Sequence, residues 1–232
     1  MVRVTHWLTV ISFVALLVTG AEIVISHPRF YWGETGNVNM RPLFSLHIPS
    51  SRDTVPTGYG YVMPDQNGWS RYLHFEAAWV LVLTALFYGI SSLWNGHFRR
   101  DLVPRRRDWT WRSIRGVMAK SFRRAKKDDG ADSYNVVQRT TYLGVIFVLF
   151  PLVIWTGMAL SPGFNAAFPY AVDVLGGRQS ARTIHFFISG LLVIFLVVHV
   201  GMIILAGFVS RMRAMITGRV AVPEEARIKE HA

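Results

Sequence analysis

His185 and His199 lie 14 residues apart within Ile184 to Val209, a stretch with no Asp, Glu, Lys or Arg. On an α-helix 14 residues make almost four turns, so both imidazoles project from one face, about 21 Å apart along the axis. An imidazole binds transition metals and carries protons. Ionisable side chains are costly enough in a bilayer interior that they mark a functional site there by default. Two imidazoles on one face, at two depths, could each hold a separate metal centre. Their partners must come from other helices. Of the eight histidines, His6 and His74 also fall near the ends of apolar stretches.

The elements that position these residues are long apolar segments. Trp7 to Ala21, Ala77 to Phe98, Thr140 to Val172 and Thr183 to Ser210 contain no Asp, Glu, Lys or Arg, and the first continues past Glu22 through Ile23 to Ile25. A span needs about 20 such residues, and backbone facing lipid satisfies its own hydrogen bonds as a helix. The pattern predicts an all-α integral membrane protein, a single domain over 1–232 built as a four-helix transmembrane bundle. The helices are expected at about 4–26, 71–95, 138–161 and 181–209. An outer segment 27–70, a basic loop 96–137 and a tail 210–232 complete it. Arg3 ahead of an apolar stretch and Thr19-Gly20-Ala21 resemble a signal peptide with its cleavage site, but the apolar run exceeds a typical signal core, so the first helix is expected to stay. Pro151 should kink the third helix.

The 232 residues carry a formal net charge of +11, and its location decides its meaning. From Arg99 to Arg139 there are 13 Lys or Arg, including Arg105-Arg106-Arg107 and Arg123-Arg124, and the tail adds Arg211, Arg213, Arg219, Arg227 and Lys229. His27 to Arg71 holds four arginines in 45 residues. By the positive-inside rule the basic loop and both termini face the cytoplasm. The basic excess is thus a topology signal that touches anionic lipid, and it does not point to nucleic acid. Within the loop, Asp108 to Met118 interleaves aromatic and basic residues as a surface-lying helix would. The outer segment holds Phe30-Tyr31-Trp32, Tyr59, Tyr61 and Trp69, suited to an interfacial belt or an ordered cap that docks another protein. With no cysteine, covalent haem attachment, cysteine-ligated clusters and disulfides are all excluded.

With the N-terminus inside, depth pairs the histidines. His74 and His185 stand near the outer face; His6 and His199 stand toward the inner face, offset from each other by about 6 Å that tilt can absorb. Arg3-Val-Thr-His6, Arg71-Tyr-Leu-His74 and Arg182-Thr-Ile-His185 repeat one spacing. Residues three apart share a helix face. Each arginine therefore sits a turn toward the surface, where a haem propionate needs a cation and a guanidinium binds carboxylate well. Two bis-histidine centres, His74/His185 outside and His6/His199 inside, with Arg3, Arg71 and Arg182 at the propionates, point to a di-haem transmembrane electron carrier. Such iron has no open coordination position, which suits electron transfer over oxygen chemistry. Gly20, Gly157, Gly190 and Gly201 could admit a flat macrocycle near the backbone, or serve close helix packing. His97, the rival to His6, is 23 residues from His74 and so about 140° around the helix. His27, His47 and His231 lie outside the spans. Glu22 and Glu76 are expected to pair with Arg71 or Arg182, with proton relay as the alternative.

These features resemble the bacterial di-haem cytochrome b membrane subunits of formate dehydrogenase, nickel–iron hydrogenase and thiosulfate reductase. The resemblance runs from Arg3 to Ser210, and its most specific element is His185-x13-His199 with single histidines in helices one and two. Arg3-Val-Thr-His-Trp-Leu, Ser26-His-Pro-Arg-Phe-Tyr-Trp-Gly-Glu and Gly68-Trp-Ser-Arg-Tyr-Leu-His74 are similar to the thiosulfate-reductase branch. The resemblance implies two non-covalent haems b, an exchangeable quinone near one membrane face and a periplasmic redox partner, in that branch a molybdopterin oxidoreductase. Arg211, Trp7 and the surroundings of His199 are candidates for an inner quinone site. The long aromatic outer segment departs from the shorter connections of simpler members. A haem-free anchor or transporter, and a stand-alone quinol oxidase using a small oxidant, are the alternatives.

Overall fold

A computed structural model of the protein describes residues 2–37, 39–47, 66–94, 141–205 and 207–218. The basic loop with Asp108 to Met118 and His97, the Tyr59 and Tyr61 part of the outer segment, and His231 lie outside the described residues. Four helices are long and apolar enough to cross a membrane: α1 Val2–Ser26, α2 Gln66–Trp94, α3 Thr141–Ala159 and α6 Arg178–Leu205. Two short helices, α4 Pro162–Ala167 and α5 Pro169–Asp173, lie between α3 and α6, and α7 Phe208–Thr217 follows α6. Each of the four spans overlies one of the four apolar segments of the sequence, with ends that depart from the expected bounds. Helix α2 starts five residues earlier, at Gln66, and α6 stops at Leu205 because Gly207 takes a left-handed conformation (φ +93°) that breaks it before α7.

The helices form two closely packed pairs, α1 with α2 and α3 with α6. In lipid no hydrophobic force drives helices together, so small residues that let backbones approach decide which faces meet. On α1 the buried residues are Thr5, Ser12, Thr19 and Ser26, one every seventh position. On α2 they include Ser70, Ala77 and Thr84 at the same interval. A seven-residue repeat keeps one face toward a partner over a whole helix. The bulky residues of both helices, among them Ile11, Val18, Trp79, Leu83 and Phe87, are exposed on the remaining faces where lipid solvates them. Helix α3 packs on α6 through Val145, Ile188 and Leu192 at mid-depth, where Phe13 of α1 also reaches in. Nearer the outer end Ala159, Val172, Leu175 and Ala181 form a second cluster. Ahead of Pro151, where the sequence predicts a kink, the helix takes a π-helical turn, Val145–Leu149. Pro151 has no N–H to donate, and a wider turn is one way to absorb that loss.

The part of the outer segment up to His47 is an ordered cap. A short antiparallel pair, β1 Arg29–Phe30 and β2 Phe44–Ser45, holds Phe30 stacked on Phe44 at 4.7 Å and tilted against Phe186 of α6 at 4.5 Å. The cap then satisfies the N–H groups that any helix leaves open at its start. Gly33 O accepts from Gln179 N and Ser180 N, and Glu34 Oε2 accepts from Arg178 N at 2.8 Å. Thr183 Oγ1 donates to Tyr31 O at 2.7 Å. Gly177, at φ +97°, makes the approach possible, since a Cβ there would sit 2.7 Å from Glu34 N. Gly177→Ala is therefore expected to cost about 1–3 kcal/mol from backbone strain alone. A lowered thermal unfolding temperature of the detergent-solubilised protein would register it, and an unchanged one would show that the cap does not hold α6.

Candidate functional site

Near the outer ends of the two helix pairs, His74 at the start of α2 faces His185 at the start of α6. Their ring centroids are 6.4 Å apart, with planes at 68°. Each ring rests on a Thr-Gly dipeptide of its packing partner. His74 lies against α1, where Thr19 Oγ1 is 2.9 Å from its Nδ1 and a Cβ on Gly20 would stand 3.5 Å from its Cε1. His185 lies against α3, where Thr156 Oγ1 is 3.0 Å from its Nδ1 and a Cβ on Gly157 would stand 3.3 Å from its Cε1. The two halves are thus built alike: a helix with Thr-Gly toward its outer end, then a helix with Arg-x-x-His in its first turns. Toward the inner end His6 of α1 faces His199 of α6, again at 6.4 Å, with planes at 60°. The aromatic rings of Trp7, Phe195 and Tyr142 surround this pair, Phe195 nearly parallel to His199 at 5.7 Å.

Both separations have a chemical meaning. A metal–imidazole bond is about 2.0–2.1 Å and a ring nitrogen sits about 1.1 Å from its centroid, so imidazoles on opposite sides of one ion hold centroids about 6.3 Å apart. No group of three or more His, Cys, Asp or Glu that could hold a metal occurs among the described residues. Two imidazoles at this spacing, with no third such side chain beside them among the described residues, would suit a metal whose other donors come from a macrocycle. The donor set fits haem, and it does not fit a tetrahedral zinc or an iron–sulfur site.

The family model for prokaryotic cytochrome b561 matches residues 1–218. The chain belongs to the prokaryotic cytochrome b561 family. It is a multi-pass membrane protein that binds haem b and carries electrons. This cytochrome b561 is also 29% identical over 211 residues to the putative protein-methionine-sulfoxide reductase subunit YedZ1 of Azospira oryzae, covering 88% of this chain and 87% of that one. No solved structure matches it.

The structure places the three arginines of the Arg-x-x-His copies differently. Arg182 donates to the carbonyl of His27 and lies over the Phe30 ring, with Cζ 5.2 Å from the centroid. Arg71 is exposed, near enough to Arg182 for their charges to interact. Arg3 reaches α7 and donates to the Ile216 carbonyl at 3.2 Å, while Trp7 Nε1 donates to Met215 O at 3.4 Å. Neither Glu22 nor Glu76 makes an ion pair among the described residues, so the pairing expected for them with Arg71 or Arg182 is absent there. The four glycines also divide. Gly20 and Gly157 make room for imidazoles, whereas a Cβ on Gly190 or Gly201 would meet nothing within 4 Å. Gly190 is five residues from His185, about 140° around the helix, so close approach on the histidine face does not require it. Thr19 and Thr156 escaped the sequence reading. Of the five Thr-Gly dipeptides in the chain, these two alone lie toward the outer end of a long apolar helix, one in each half, and that placement was their signal.

Proposed function

We propose that this cytochrome b561 binds two haems b, His74 and His185 ligating the outer one and His6 and His199 the inner one, and links the quinone pool to a periplasmic redox enzyme. The observation that carries the reading is the recurrence of one 6.4 Å opposed-imidazole geometry at two depths. The pairs are separated along α6 by about 21 Å of a hydrocarbon core about 30 Å thick. Haem b, when bound, supplies one-electron exchange between ferric and ferrous iron. The protein's part is to hold the ligands opposed, to keep the remaining surroundings apolar and to offer cations to the propionates. Arg71 and Arg182 stand together at the outer pair, two positive charges that an anionic group would neutralise. Arg3 stands one turn toward the surface from His6 and serves the inner propionates while it ties α7 to α1. Both termini and the basic loop face the cytoplasm of a bacterial inner membrane, as the distribution of Lys and Arg supports.

The outer pair lies beneath the cap, whose Trp32 and Leu43 are exposed and offer apolar anchors to a docking partner. That partner is a molybdopterin oxidoreductase of thiosulfate-reductase or related type. The likeness to a sulfoxide reductase subunit supports reduction of an oxidised sulfur compound. The inner pair, with Trp7 and Tyr142 beside it and the α6–α7 break below, is the end at which quinone exchanges. Pyridine haemochrome quantitation on the purified full-length chain is expected to give two haems b per polypeptide, both reduced by dithionite and by a short-chain quinol. One haem per chain would remove the di-haem reading. No haem, after expression with adequate haem supply, would leave an anchor or transporter.

A further inference from the structure

The two outer histidines share a feature that the inner two lack. Thr19 Oγ1 and Thr156 Oγ1 each have one proton, and each hydroxyl lies 2.7 Å from a carbonyl one turn back on its own helix, Ala15 O and Leu152 O. A threonine hydroxyl that donates to the carbonyl at i−4 retains only lone pairs for any other neighbour. The imidazole nitrogens at 2.9 Å and 3.0 Å must then be the donors: Nδ1–H of His74 to Thr19 and Nδ1–H of His185 to Thr156. That arrangement fixes the tautomer. Nδ1 carries the proton, and Nε2 presents its lone pair. The hydroxyls also cannot drift, since each sits on a helix backbone and is fully buried, Thr19 and Thr156 both at 0% exposure. His6 and His199 have aromatic neighbours instead, and among the described residues no hydrogen-bond acceptor stands at either ring.

We propose that Thr19 and Thr156 are positioning residues that tune the outer haem alone, each holding its imidazole in the ligating tautomer and making Nε2 a stronger donor. The inference rests on the assignment of His74 and His185 as the outer ligands. An N–H that donates a hydrogen bond is polarised, which raises the basicity of the opposite nitrogen. A more basic axial ligand stabilises ferric over ferrous iron and so lowers the midpoint potential. Hydrogen bonding around the ligands is one of the levers by which proteins set haem potentials. With a hydroxyl at each of His74 and His185 and none at His6 or His199 among the described residues, the protein would act on the two centres separately.

The test is a spectroelectrochemical redox titration of the purified full-length chain, with electron paramagnetic resonance of the oxidised form. It compares wild type with Thr19→Val, Thr156→Val, the double Val variant and the two matching Ser variants. Valine keeps the shape and lacks only the hydroxyl; serine keeps the hydroxyl. The expected result is that one of two haem waves moves to higher potential in each Val variant, further in the double. The other wave stays in place, and the low-spin ferric signal of the same haem shifts. The Ser variants should titrate like wild type. Loss of one haem from a Val variant but not from its Ser counterpart supports the same conclusion, because only the hydroxyl separates them. Two retained haems with unchanged potentials in the Val variants would overturn the proposal, as would Ser variants that shift as far as Val. Wild-type protein without haem would instead overturn the ligand assignment, and this inference with it.

Discussion

His185→Ala is expected to lower haem content from two per chain toward one, with the outer centre lost and the inner centre retained. The variant removes one of two opposed imidazoles and leaves iron with a single protein ligand in a site that has no substitute among the described residues. His199 lies almost four turns away on the same helix, so the inner pair keeps its geometry. The reciprocal variant, His6→Ala, should remove the inner centre and spare the outer one. Each loss should appear as about half the reduced-minus-oxidised absorbance, and the two residual spectra should sum to that of wild type. Electron delivery from quinol to the outer side should fail in both variants, since each removes one of two stations in series. If both variants retained two haems, or if His6→Ala and His185→Ala depleted the same spectral component, the depth pairing would be wrong.

A second large effect is expected from a residue that binds nothing. In Gly157→Leu even the first added carbon would stand 3.3 Å from His185 Cε1, tighter than ordinary contact, and three further carbons would have to share the space of the ring. The imidazole must swing away from Thr156 and out of opposition to His74, so the outer haem should be lost or bound in a mixed, partly high-spin state. Gly190→Leu is the control on the same helix pair. A Cβ there meets nothing within 4 Å and the residue is exposed, so both haems should remain with wild-type spectra. Equal haem loss in the two variants would mean that glycine on these helices serves the macrocycle and not the histidine ring.

Much of this architecture is legible in the chain. Four charge-free windows define four spans because a bilayer tolerates little else. The 14-residue interval between His185 and His199 places two imidazoles on one face because helical geometry leaves no choice. Other features were less accessible. The Arg-x-x-His spacing recurs three times, yet Arg3 is also drawn to the C-terminal end of α7, which the helix break at Gly207 brings near. Gly20 and Gly157 differ from Gly190 and Gly201 in what they face, and composition does not encode facing.

By itself, then, the sequence determined the solvent, the number of spans and the residue types able to hold a metal, since each follows from local composition and helical period. Depth along the chain already paired the imidazoles; only tertiary structure set their 6.4 Å separation and decided that Thr-Gly on α1 serves His74 while Thr-Gly on α3 serves His185. It also decided that Glu34, almost 150 residues away in the chain, caps α6. Those outcomes depend on how helices dock. In a membrane, docking is settled by the fit of small residues such as Thr5, Ser12, Thr19 and Ser26 against a partner face, a property of two segments together and of neither alone.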